Sequence, residues 1–296
     1  MKPLAAATLA LTFAVVVVGA YVRLSDAGLG CPDWPLCYGR AVPDAGQDAR
    51  AWKEMGHRYL AGALGILIFG LALAAWRTRQ SPWLATAIAA LVVFQATLGK
   101  WTVTMLLKPA IVVAHLLGGM AILALLTWYC LSLYPRKPGA GALRIPALLA
   151  LLVLGVQILL GGWVSANYAA LACPDLPLCT GQVVPPMDFG NAFHVLRELG
   201  RTDGGEPLPQ AALIAIHWTH RVFALVVVAV VGWAAFRTLK TFRGLGAAIA
   251  GLLLLQFALG VANVAFSLPL ALAAAHNAGA AALLVALVVL NFFSRS

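Results

Sequence analysis

Gly19-Ala-Tyr-Val-Arg-Leu-Ser-Asp-Ala-Gly-Leu-Gly-Cys31-Pro-Asp-Trp-Pro-Leu-Cys37-Tyr-Gly39 has a second version later in the chain. It runs from Gly161 through Cys173-Pro-Asp-Leu-Pro-Leu-Cys179-Thr-Gly181 and matches without a gap. The correspondence extends outward. His57-Arg58 matches His220-Arg221, Gln95-Ala-Thr-Leu-Gly99 matches Gln256-Phe-Ala-Leu-Gly260, and His115 matches His276. The chain therefore reads as two copies of one structural unit, because self-similarity at a fixed spacing marks repeat architecture.

What each unit is made of follows from the flanking sequence. The chain has 296 residues, of which 62% are hydrophobic and only 10% charged, with a mean hydropathy of +0.91. A soluble domain carries roughly 25% charged residues. A chain this poor in charge cannot cover a water-facing surface, which excludes a soluble enzyme, a disordered protein and a nucleic-acid-binding domain. A membrane helix needs about 20 mostly apolar residues. Eight stretches qualify, at about 3–22, 54–76, 82–104, 109–133, 143–166, 211–236, 245–268 and 269–293. Lys2 followed by an apolar run imitates a signal peptide. The run is too long for that, and no small-residue cleavage site precedes Tyr21, so a retained span is expected.

Four spans fall in each copy. An even number per copy makes the copies parallel, related by an axis along the membrane normal. The fold class expected is an all-α polytopic membrane protein, with eight transmembrane helices arranged as two pseudo-symmetric parallel four-helix bundles. Residues 1–135 form the first, with an outer loop at 23–53. Residues 143–296 form the second, with an outer loop at 167–210. The N-terminus, the short loops and the C-terminus hold Lys2, Arg77, Arg79, Arg136, Lys137, Arg144, Arg237, Lys240, Arg243 and Arg295 and no acid. All ten acids lie at the other end or its membrane edge. Bases mark the cytoplasmic side, so both termini are expected in the cytoplasm and both long loops outside. The net charge of +10 then reports orientation, and nucleic acid is not needed to explain it.

Five of the six histidines fall in spans, where ionisable groups are costly and mark function by default. One membrane histidine alone is most simply an interhelical hydrogen bond. Here His57/His115 and His220/His276 recur at equivalent positions and similar depth. Two imidazoles meeting across an apolar bundle suit axial ligation of a haem iron. Zinc would need a third or fourth ligand, and none repeats. Arg58 and Arg221 follow the ligand candidates and suit carboxylates of a bound group, or snorkel to the interface. One position breaks the repeat. Glu54 precedes His57 by three residues, where His217 precedes His220, and that spacing puts each on its neighbour's face. The two halves are therefore expected to do different work.

Cys31/Cys37 and Cys173/Cys179 lie in the outer loops, where disulfides are expected. Structural staples and redox-active pairs are both open readings; a joint zinc site of four thiolates is a weaker third. Cys130 is expected to be a packing residue.

These residues together resemble the heme A synthase family. The likeness rests on Gly28-Leu-Gly-Cys31-Pro-Asp-Trp-Pro-Leu-Cys37, Glu54-x-x-His57-Arg58, His115, His220-Arg221 and His276, and it covers almost the whole chain. The cysteine pairs and Asn191-Ala-Phe-His194-Val-Leu-Arg-Glu-Leu-Gly200 look like its proteobacterial branch. The resemblance implies conversion of heme O to heme A for cytochrome oxidase: the C8 methyl becomes an alcohol, then a gem-diol, then a formyl group. It implies a heme b cofactor on His220 and His276, and the substrate on His57 and His115. Glu54 matches a carboxylate thought to act in catalysis. It also implies a bacterial inner-membrane location, with heme O synthase, oxidase assembly factors and a second copy of the chain as candidate partners. His194 and His217 are additional and stay unassigned. The competing readings are a quinol-linked di-haem electron-transfer cytochrome, in which both halves hold heme b, and a transporter. Polar residues gathered near the outer face, away from the midplane, argue against the transporter.

Overall fold

The structure is a computed structural model, and it describes residues 1–44, 46–135 and 140–295. Arg136 and Lys137 of the expected basic loop lie outside these residues. Among the described residues, eight helices are long and apolar enough to cross a membrane. They are α1 (Lys2–Leu24), α2 (Ala49–Thr78), α3 (Pro82–Thr104), α4 (Pro109–Ser132), α5 (Arg144–Ala166), α7 (Gln210–Leu239), α8 (Arg243–Ala265) and α9 (Leu270–Ser294). A short helix, α6 (Phe189–Ala192), lies in the second long loop.

The helix starts follow from local chemistry. Prolines occupy the first turns of α1, α3 and α4, where a missing N–H costs nothing. Asp48 caps α2 by accepting from the amide of Arg50 at 2.9 Å, a standard N-cap interaction. That cap moves the start of α2 back to Ala49 from the expected 54. Glu54 and His57 consequently sit inside the helix, with their side-chain directions set by its geometry.

Packing reproduces the repeat. In the first half α1 packs on α2 and α4, and α3 on α2 and α4. In the second half α5 packs on α7 and α9, and α8 on α7 and α9. Each half is thus a closed ring of four. The rings meet through α4 on α9, α1 on α9 and α4 on α5. Exchanging the halves leaves this list unchanged, as a two-fold relation requires. The αL turn between α3 and α4, at Leu106 and Leu107, recurs at Ser267 and Leu268 between α8 and α9. Such backbone costs about 1–3 kcal/mol per residue, so its repetition in both halves shows a shared constraint on how tightly these helices close.

Apolar contacts fill the end of each ring away from the long loops. Leu64, Ile68, Leu71, Ile88, Leu126 and Tyr129 form one core. Val227, Val231, Ile249, Leu283 and Leu287 belong to another. Outward-facing Ile66, Trp83, Ile145 and Leu254 are 68–75% exposed. In water these positions would be an aggregation hazard, and in a bilayer they are ordinary lipid contacts. The chain is a multi-pass membrane protein.

Candidate functional site

The site is built from the two cysteine loops downward. Each loop closes on a disulfide, Cys31–Cys37 and Cys173–Cys179, and all four cysteines are buried. Cys130 is unpaired and half-buried. Asp33 accepts from the amides of Tyr38 at 2.6 Å and Gly39 at 2.8 Å. Asp175 does the same for Thr180 at 2.9 Å and Gly181 at 2.6 Å. The Gly39 amide leads in holding the Asp33 carboxyl below its ordinary value; desolvation, next in size, opposes it, and the Tyr38 amide adds to the lowering, with the Gly181 amide leading in the same way at Asp175. A depressed carboxyl contributes stability that is present above the unfolded value of about 3.9 and is lost as pH falls through the folded value. Exchange of the Tyr38 and Gly39 amides, normalised to an unstructured peptide, should accelerate as pH is lowered from 6 to 3. Asp33→Asn, which lacks the charge, should show no such step; an identical step in that variant would contradict this account.

Beneath each loop lies the residue pair that breaks the repeat. Glu54, 5% exposed, accepts the Cys31 amide on Oε2 at 2.9 Å. Its Oε1 accepts from Arg58 Nη2, and the two form a buried ion pair. His217, 4% exposed, accepts the Cys173 amide on Nδ1 at 3.2 Å. Glu54 and His217 thus perform one shared task, holding the loop amide, and differ in charge.

The arginines hold the same loops. Arg58 Nη1 donates to the carbonyls of Leu36 at 2.7 Å, Asp33 at 3.0 Å and Pro35 at 3.3 Å. Arg221 donates to the carbonyls of Leu178 at 3.0 Å, Asp175 at 3.0 Å and Cys173 at 3.1 Å. Nη1 of Arg58 and both terminal nitrogens of Arg221 therefore face loop carbonyls.

The four repeated histidines gather just below. His57 and His115 lie within electrostatic reach of each other, as do His220 and His276. Each ring lies against a glycine of a neighbouring helix. A Cβ on Gly19 would sit 2.8 Å from His57 Cε1, and on Gly161 3.0 Å from His220 Cε1. On Gly99 it would sit 3.2 Å from His115 Cε1, and on Gly260 3.3 Å from His276 Cε1. Across the bundle, Gln95 Nε2 donates to the His115 carbonyl at 2.5 Å and Gln256 Nε2 to the His276 carbonyl at 2.8 Å. Gln157 donates to the His220 carbonyl at 3.2 Å, and its counterpart in the first half is Val15. The sequence showed these glycines and the Gln95/Gln256 pair as matches, but their role appears only when the helices are packed.

The Nδ1 atoms of all four histidines are buried and without a partner. Buried polar atoms are normally satisfied, so four repeated exceptions require a cause. A metal taken directly by a ring nitrogen is one such cause. Among the described residues no three His, Cys, Asp or Glu side chains converge. The donor set is therefore two imidazoles per bundle, which fits a haem. His194 stands apart in the second loop, 3.8 Å from Asp203.

The chain matches a family model described as cytochrome oxidase assembly protein over residues 2–288. A protein of Shewanella oneidensis named heme A synthase is 40% identical, the match covering 97% of this chain and 94% of that one. Another so named, from Methylobacterium radiotolerans, is 30% identical over 97% of this chain and 88% of its own. A third, from Halalkalibacterium halodurans, is 28% identical over 71% and 73%.

Proposed function

Because this chain belongs to the heme A synthase family of cytochrome oxidase assembly proteins, we propose that it is an oxidoreductase converting heme O to heme A. The C8 methyl is oxidised through an alcohol to a gem-diol, a loss of four electrons to an external acceptor with the oxygens drawn from water, and the gem-diol loses water to leave the formyl group. His57 and His115 hold the substrate iron. His220 and His276 hold heme b, which supplies one-electron transfer when bound.

One observation carries this reading: two matched imidazole pairs whose immediate surroundings differ. Glu54 brings a carboxylate to the first pair, where His217 stands by the second. Val15 stands in the first half where Gln157 touches the His220 carbonyl. A symmetric electron wire needs no such difference, so the enzyme is favoured over the di-haem cytochrome. Glu54, three residues before His57 on α2, is the group assigned to stabilise positive charge or move a proton at the substrate. Arg58 and Arg221 act on the bound groups through the loops they hold. The protein belongs in the bacterial inner membrane, with both termini cytoplasmic and both long loops periplasmic. Heme O synthase, oxidase assembly factors and a second copy of the chain are its natural partners.

The test is expression in cells that make heme O, followed by pigment extraction and mass measurement. Wild type should convert heme O to heme A and His57→Ala should not. Equal conversion by both, or none by either, would remove the enzyme reading.

A further inference from the structure

The outer rims of the two bundles are walled by equivalent positions but finished differently. In the second bundle Trp163, Ala215 and Ile216 are buried, packed with Ala192 of α6 and with Phe193. The Trp163 Nε1 donates to the Ala192 carbonyl at 2.8 Å. The long loop thereby seals the space between α5 and α7. The first bundle's shorter loop reaches this rim at the Ala41 carbonyl, which accepts from Tyr59 Oη, and leaves the rim's aromatic residues partly exposed. Between α1 and α2 a groove of about 540 Å³ remains, with His57 in its wall. Tyr21, Trp52 and Tyr59, also in the wall, are 36%, 41% and 46% exposed.

Two further features distinguish this groove from a simple lipid contact. Lys53 lines it at the position that Ile216 fills in the second bundle. Lys53 forms no salt bridge among the described residues, and its Nζ sits 5.3 Å from the Tyr21 ring centroid. A cation set into an otherwise apolar wall favours a ligand that is apolar along most of its length and carries an anionic group. Gly56 also lines the groove, and a Cβ there would meet nothing within 4 Å. The floor is open beside the His57 ring.

We propose that the α1/α2 groove is the lateral doorway by which heme O reaches His57 from the outer leaflet, with Lys53 pairing to one of its carboxylates. The aromatic rim receives the apolar face and isoprenoid tail. This rests on heme O being the substrate. It also explains the difference in cover: the second bundle encloses a group that stays, while the first admits one that must come and go.

The experiment follows heme O association by Soret absorbance with the full-length protein, its heme b in place, in lipid nanodiscs. Gly56→Phe fills open space on a helix, so the fold should be retained. It should slow association by about tenfold, a barrier change of about 1.4 kcal/mol, and leave the heme b of the second bundle unchanged. Ile66→Phe, lipid-facing on the same helix, should associate like wild type. Lys53→Met should slow heme O several-fold but not its dimethyl ester, whose carboxylates are blocked. If wild type binds heme O and Gly56→Phe binds it equally fast, the groove holds only lipid chains and the doorway is wrong. If wild type takes no heme O at His57 and His115, the substrate reading falls first.

Discussion

Gly161→Leu protein is expected to purify without its b-type haem spectrum, although the substitution touches no ligand. A Cβ at this position already lies 3.0 Å from His220 Cε1, closer than ordinary contact allows. A leucine side chain extends further and must push the imidazole off its line. Leucine is favoured over glycine in a helix by roughly 0.8 kcal/mol, so α5 itself should not suffer. The loss should match that of His276→Ala, at about tenfold or more in haem content. Gly19→Leu should do the reverse, keeping the b-type spectrum and abolishing heme O conversion, because its Cβ lies 2.8 Å from His57 Cε1. A full bis-imidazole spectrum in Gly161→Leu, or loss of b-type haem in Gly19→Leu, would overturn the division between halves.

The second large effect is at Glu54. Glu54→Ala should lose conversion and destabilise the outer rim by about 3–5 kcal/mol, the usual result of removing one partner of a buried ion pair. Arg58 is left without its counter-ion and the Cys31 amide without its acceptor. That variant alone does not separate chemistry from support. Glu54→His does, because His217 shows that an imidazole at this place can accept the loop amide. The Glu54→His protein should keep Cys31–Cys37 as resistant to reduction as wild type. Its conversion rate should nevertheless fall by a factor of about 10²–10⁴, the range for a lost acid-base group. Near-normal conversion would show that the carboxylate only positions the loop.

The spans were readable because membrane helices announce themselves by length and hydropathy, and the repeat was readable because matched residues need no structure to be seen. The boundary at α2 was not. Asp48-Ala-Arg-Ala-Trp-Lys-Glu54 is polar enough to pass for loop, and only its cap shows that the helix begins there. The histidine pairs stood out because charge in a span is costly. Their supports did not, since Gly161 and Gln256 look like any membrane glycine or glutamine until the facing ring or carbonyl is located. Arg58 and Arg221 suggested carboxylates of a bound group; that they also donate to the loop carbonyls was not legible. Those contacts depend on how the disulfide loops fold back, which no local pattern records.

His115 and His276 each lie six residues into their helices, about 9 Å at 1.5 Å per residue, and apolar side chains fill the far end of both rings. An electron or proton exchanged with either site from the loop-bearing side therefore crosses about a third of a 30 Å hydrocarbon core. Moving one charge across the whole core costs about 2.3 kcal/mol per 100 mV. Over this shorter path the work is about 0.7 kcal/mol, so turnover supplied from that side should change by no more than about threefold per 100 mV of membrane voltage.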